Sequence, residues 1–120
     1  GPDHPYLAPG LNSLGRAFDE EGRPADAERC YRRALAAGER TYGRDAVPAL
    51  IAESNLAAWL LERGRPADAE VIFADVYGRA HRAHGPLHPV TLMLESNLAY
   101  TYDALGRDDD ALALMRQNHA

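Results

Sequence analysis

Three histidines, His81, His84 and His88, lie close together in the chain, and imidazole is the commonest zinc ligand. His81 and His84 share a helix face at i, i+3, with His88 in the loop that follows. A zinc site would want three or four ligands held by a supporting shell of hydrogen bonds. A structural account competes with that one. His88 recurs as His4 near the start of the chain, and the other two close a helix, where the dipole favours imidazole. No metal and no cofactor is therefore expected. Cys30, the single cysteine, has no histidine at helical spacing to activate it, so it reads as a small packing residue. The acidic runs Asp19-Glu20-Glu21 and Asp108-Asp109-Asp110 lack the glycine-containing loop of a calcium site. The first closes a helix. The second opens one, with Asp108 as a natural N-cap. The Gly-Arg pairs lack the spacing of a phosphate loop, and Arg29, Arg32 and Arg33 read as a solvated helix face. No catalytic residue emerges, and the chain is not expected to be an enzyme.

Composition sets the wider bounds. The chain has 120 residues, a length that fits one domain. A net charge of -5 argues against a general nucleic-acid or anionic-membrane binder, since both need a basic face. No apolar run approaches the ~18 residues of a membrane span. The start, GPDHPYLAPG, has no basic region followed by an apolar stretch, so no signal peptide is read and a cytoplasmic location is expected. Arginine without lysine, together with abundant alanine, suggests a GC-rich bacterial genome.

The elements that carry these residues announce themselves by repetition. Gly1, Gly43 and Gly85 open three blocks with a 42-residue offset, about 1–42, 43–84 and 85–120. In that register Leu14, Leu56 and Leu98 coincide. So do Gly22, Gly64 and Gly106, each followed by arginine (Arg23, Arg65, Arg107), and then Asp26, Asp68 and Asp110 with Ala27, Ala69 and Ala111. Leu11, Leu14 and Phe18 recur at helical spacing, as do Leu56, Leu60 and Leu61. The glycine after them can stop a helix in the left-handed conformation. The proline of GRPADAE suits the first turn of the next helix, and the acids behind it suit its dipole. Ala27 and Ala69 leave room for close helix approach, and Tyr31 and Phe73 fill the space between hairpins. The pattern predicts helices at about 6–21, 24–41, 49–63, 66–83, 90–105 and 108–118. Trp59 is expected in the core between stacked helices.

At these residues the chain resembles the tetratricopeptide repeat superfamily. The 42-residue period, the GPDHP and GPLHP openings, SNLA in two blocks and GRPADAE in two blocks are similar to its kinesin-light-chain variety, which is widespread in bacterial proteins. The resemblance covers the whole chain. It implies an all-α fold, a right-handed α-solenoid of three tandem helix-turn-helix hairpins in a single repeat domain. It also implies a concave groove, lined by the first helices, for extended or helical peptides. Three departures stand out. Block one has NSLG where the others have SNLA, so the asparagine that faces bound peptide backbone in relatives is matched at Asn55 and Asn97 but is Ser13 in the first block. Pro9 and Gly10 interrupt the first helix, which is expected to start late or kink. Block three is short, so Leu112, Leu114 and Met115 are expected to be partly uncovered, and the chain reads as a fragment of a longer protein or a scaffold that stacks on another copy.

Carried onto this chain, the groove is lined by Asn12, Arg16, Asp19 and Glu20 in block one. Ser54, Asn55, Ala58, Leu61 and Glu62 follow in block two, and Ser96, Asn97, Tyr100 and Asp103 in block three. Some relatives grip acidic C-termini with basic residues there; this lining offers only Arg16 against Asp19, Glu20, Glu62 and Asp103. The expected partner is a protein or peptide segment with arginine or lysine and an apolar residue for Leu61 and Tyr100. Neither a membrane nor direct contact with nucleic acid is expected. The leading function is a protein–protein interaction scaffold without catalysis. The alternatives are the regulatory or sensor repeat region of a larger nucleotide- or DNA-binding bacterial regulator, and a homo-oligomer that stacks end to end through the uncapped C-terminal end.

Overall fold

The computed structural model describes residues 7–119, which form six helices with no strand among them. They are α1 (Leu7–Glu20), α2 (Pro24–Tyr42), α3 (Val47–Glu62), α4 (Pro66–His84), α5 (Pro89–Ala104) and α6 (Asp108–His119). Each boundary falls within two residues of the expected one. Two compact units divide the chain, Gly1–Leu56 and Ala57–Ala120, and the division lies inside α3.

The same turn joins α1 to α2, α3 to α4 and α5 to α6. Gly22, Gly64 and Gly106 have φ of 75°, 77° and 74°, the left-handed region that costs any other residue. The N–H of each following arginine donates back to the carbonyl five residues earlier: Arg23 to Phe18, Arg65 to Leu60, Arg107 to Tyr102, at 2.9, 3.0 and 2.8 Å. Each glycine N–H donates to the carbonyl three residues earlier. These paired bonds close orphan carbonyls at the helix end in a Schellman motif. Pro24 and Pro66 then sit in the first turn of the next helix, where a missing N–H costs nothing.

The recurring arginine and aspartate bind each other. Arg23, Arg65 and Arg107 donate from Nε to Asp26, Asp68 and Asp110 at 2.9, 2.9 and 2.7 Å. The arginine therefore ties the turn to the first turn of the new helix. It also corrects the reading of Asp108, which is the first helical residue of α6 rather than its cap. The Arg107 carbonyl accepts from the Ala111 N–H, so Arg107 holds the capping place, as Arg23 and Arg65 do in their blocks. In blocks one and three the guanidinium also lies over the aromatic ring of the preceding helix, Arg23 at 4.5 Å from Phe18 and Arg107 at 4.6 Å from Tyr102.

In the first unit α1 packs on α2. The close approach is at Gly15: a Cβ there would stand 3.2 Å from the Tyr31 ring and 3.4 Å from the Ala27 carbonyl oxygen. Tyr31 thus fills space against its own hairpin. Leu11, Ala27, Cys30, Tyr31, Ala34 and Leu50 are buried in this unit. Two expectations change. α1 does not start late; it includes Pro9 and Gly10, because a proline in the first turn removes an N–H with no helical acceptor. Leu14 is 45% exposed although its counterparts Leu56 and Leu98 are each 2% exposed, so equal register does not bring equal burial.

In the second unit α5 packs on α4 and on α6. Trp59, Leu60, Phe73, Val76, Leu94 and Leu98 are buried, which places Trp59 in the core as expected. Burying one such side chain is worth about 1.5–3 kcal/mol. At the C-terminal end Leu112 and Met115 are exposed, but Leu114 is buried. Leu114 lies one helical step from buried Ala111 and shares its stripe, so α5 covers both. The last turn of α6 is fastened by polar groups. The carboxylate of Glu95, buried on α5, accepts from Asn118 Nδ2 at 2.6 Å and lies 2.9 Å from His119 Nε2.

Candidate protein-interaction face

The first helices were expected to carry the binding residues. In the first unit, Arg16 and Glu20 are exposed, Asn12, Asp19 and Asn55 are half-buried, and Ser13 is exposed. Ser54 is 4% exposed and departs from the expectation of an open lining residue. It shares a helix stripe with Leu50 and Ala57, both wholly buried, and that stripe is the one α3 turns inward. Ser96, its counterpart one block later, is exposed. Asn12 Oδ1 is covered and has no hydrogen-bond partner among the described residues.

In the second unit, Ala58 and Leu61 are half-buried and Glu62 is exposed. α5 gathers the clearest face. Ser96, Tyr100 and Asp103 recur at i, i+4 and i+7, all exposed, and Tyr100 shows 65% of its surface. Asn97 beside them is half-buried, and its backbone carbonyl accepts from the Thr101 hydroxyl at 2.7 Å. Met93 extends the stripe by one step toward the helix start and is also exposed. The sequence hinted at Met93 only through its i, i+3 spacing to Ser96.

The electrostatics of that face are set at its C-terminal end. The Asp103 carboxyl is raised above its ordinary range, first by a hydrogen bond with Asp108, then by partial desolvation and by the Asp108 charge. Two carboxylates brought this close repel each other, and a cation placed beside them relieves the repulsion. Tyr102, half-buried beside them on α5, is raised chiefly by burial and then by the Glu70 charge.

The other candidates resolve into structure. His88 Nδ1 accepts from the Val90 N–H at 3.1 Å and so caps α5. His84 lies against His88 with ring centroids 5.0 Å apart and the rings tilted by 42°, and His81 meets the Tyr77 ring edge-on at 5.8 Å. Among the described residues no three His, Cys, Asp or Glu side chains converge as a metal site would require. Cys30 is a buried free thiol. Arg29 and Arg32 pair with Asp26 and Glu28 of their own helix, which neutralises much of the α2 stripe. Sequence reasoning missed the Glu95–Asn118–His119 cluster, since nothing in the spacing links α5 to the end of α6. The Arg–Asp clasp was in plain sight as two triplets three residues apart. No described helix is long and apolar enough to cross a membrane.

Comparison with known proteins gives the fold a setting. The tetratricopeptide repeat profile matches residues 48–117, and a second tetratricopeptide repeat profile matches residues 11–45. No curated protein sequence matches. Among solved structures, BtubC (BKLC) from P. vanneervenii has a TM-score of 0.82 at 21% identity, covering 98% of this chain and 47% of its own. The kinesin-light-chain-type protein of Podosopora anserina, with nearly identical TPR-like repeats, has a TM-score of 0.81 at 22% identity, covering 99% of this chain and 56% of its own. The chain thus spans about half the length of these structures. With its repeated glycine turns, its paired helices and these matches, the chain belongs to the tetratricopeptide repeat family.

Proposed function

We infer that this chain, like tetratricopeptide repeats in general, is a protein-interaction scaffold. We propose that this chain binds a protein or peptide segment on the face carried by its first helices, without catalysis, and that the segment combines arginine or lysine with an apolar residue. The observation that carries this reading is on α5: exposed Tyr100 stands one turn from Asp103, whose carboxyl is raised by neighbouring Asp108. A basic side chain placed there neutralises the crowded carboxyl groups, and the Tyr100 ring offers an apolar and cation-binding surface. Asn55 and Asn97 hold peptide backbone, each able to donate and accept. Asn12 in α1 belongs to the proposed lining as well. Arg16, Asp19, Ala58, Leu61, Glu62 and Ser96 complete the proposed lining, with Ser54 set behind it. The proposal excludes an acidic-tail clamp, because acidic groups outnumber Arg16 along this lining.

A panel of basic and acidic peptides carrying one large apolar residue tests this by fluorescence anisotropy. Binding of the basic set should fall at least tenfold, about 1.4 kcal/mol, in the Glu62→Lys, Asp103→Lys double variant. Equal binding by wild type and variant would sink the acidic face. The pH dependence has a definite sign. Asp103 carries its charge only above its raised pKa, so affinity for a basic peptide should be full near neutrality and decline as acidification protonates it.

A further inference from the structure

The junction between α4 and α5 holds two imidazoles where the junction one block earlier holds none. His84 and His88 stand in the places of Tyr42 and Ala46. Ala46 and His88 start their helices with the same backbone bond: their carbonyls accept from the N–H groups of Leu50 and Leu92, each at 3.0 Å. Of the two, His88 adds a side chain to that start. Its Nδ1 accepts from the Val90 N–H at 3.1 Å. Alanine has no acceptor to offer α3 in this way.

A neutral imidazole has one ring nitrogen that accepts and one that donates. With Nδ1 accepting from Val90, the hydrogen sits on Nε2. Protonation puts a second hydrogen on Nδ1. The acceptor is then lost, and a positive charge faces the positive end of the α5 dipole. The first turn has little to put in its place. Val90 and Thr91 are buried, so water does not readily replace the imidazole. Thr91 Oγ1 is already covered and without a hydrogen-bond partner among the described residues.

We propose that His88 is a pH-sensitive cap, which holds the first turn of α5 while its imidazole is neutral and releases it on protonation. Histidine ordinarily changes charge between about pH 5 and 8, so the cap is intact at the upper end of that range and lost toward the lower. From α4 the facing group is His84, whose ring lies 5.0 Å away; two charged rings there repel and help open the turn. His81 turns to Tyr77 instead, and Arg82 Nη1 lies back toward Gly78. From α6, Asn118 donates to the Pro86 carbonyl at 3.2 Å, and His119 pairs with Glu95 of α5. Acid strengthens that pair while it weakens the cap. Whole-chain stability therefore mixes opposite signs, and the cap must be read locally. The inference does not rest on the peptide-binding reading.

Amide hydrogen exchange of Val90, followed by nuclear magnetic resonance and corrected for the intrinsic effect of pH, tests it in the 120-residue chain. Wild type is compared with His88→Asn, which keeps a capping acceptor that does not titrate, and with His88→Ala, which has none. Between pH 8 and pH 5 the wild-type protection of Val90 should fall about five- to tenfold, the ratio set by the net worth of one hydrogen bond. In His88→Asn it should stay level. In His88→Ala it should be low at both ends of the range. Unchanged protection of Val90 in acidified wild type overturns the proposal. So does an equal fall in His88→Asn, which would assign the effect to His84 or to the His119–Glu95 pair. Should His88→Ala fail to fold, wild type and His88→Asn decide between them.

Discussion

The first and third hairpins share a register and close in different ways. Between α1 and α2, Gly15 admits the Tyr31 ring to van der Waals contact and Leu11 is buried nearby. Between α5 and α6 the same three places hold Ala99, Met115 and Glu95. Ala99 is buried, but Met115 is largely open. Glu95 holds the end of α6 through Asn118 and His119. One hairpin is fastened by an aromatic ring against backbone and the other by a buried carboxylate. The backbone repeat fixes where two helices meet, while the side chains at the meeting place decide whether the closure is apolar or ionic.

The largest test separates the aromatic fastening from its open counterpart. Tyr31→Ala leaves a void beside Gly15 and should destabilise the chain by about 3–5 kcal/mol, the usual cost of emptying a buried aromatic site. Met115→Ala, at the same register place but half in water, should cost under about 1 kcal/mol. Urea unfolding followed by circular dichroism reads both. Comparable losses would mean that Met115 is covered in solution.

How much of this was legible beforehand follows from what each feature depends on. The helices and turns were readable because glycine, proline and apolar spacing act locally: Gly22, Gly64 and Gly106 stop a helix whatever lies around them. Trp59 was placed correctly because a large apolar side chain in a repeat core has few other places to go. Burial at the ends was not readable. Leu14 and Leu56 are the same residue in the same register, yet one is 45% and the other 2% exposed. Leu114 was expected to be open because it was grouped with Leu112 and Met115, although the helical phase turns it toward Ala111. Ser54 and Ser96 diverge for the same kind of reason, since neighbouring stripes, not residue type, set which face is turned inward. Of the candidate face, Tyr100 and Asp103 were legible from spacing. The influence of Asp108 on Asp103 was not, because it depends on how the α5–α6 turn folds back.

The ionic closure gives a smaller effect than the aromatic one. Glu95→Gln keeps the shape and one acceptor oxygen but removes the charge that faces His119. It should cost about 1.5–3 kcal/mol, the range for a hydrogen bond to a charged group, and fall toward the lower end because the His119 side chain is 49% exposed. Leu11→Ala, the matching change in the first hairpin, should cost about 2–5 kcal/mol through its cavity. Salt distinguishes the two: added sodium chloride should shrink the Glu95→Gln loss and leave the Leu11→Ala loss unchanged. The Glu95 charge also reaches Tyr77, whose hydroxyl is raised by burial first and by Glu95 second. In Glu95→Gln the Tyr77 titration, followed by ultraviolet absorbance, should move down toward its ordinary value. A Tyr77 titration that does not move would show that Glu95 is screened and that its role is packing alone.

The smallest effect lies in what the hairpins share. Arg23 and Arg107 each bind an aspartate three residues on and cover an aromatic ring four residues before the turn glycine. Arg107 has a further carboxylate, Glu70 of α4, at 3.6 Å, and its guanidinium is held more firmly protonated chiefly by Asp110. These groups are exposed, so each alanine replacement should cost less stability than any change above. Lysine is the sharper substitution. It keeps the charge but loses the planar fork that reaches Asp110 while lying flat on Tyr102. Arg107→Lys should therefore recover less than half of the alanine loss, and likewise Arg23→Lys on Phe18. Full rescue by lysine in both hairpins would show that the turn asks for a positive charge and nothing more. Rescue in one hairpin alone would show that the ring, which differs between Phe18 and Tyr102, sets the requirement.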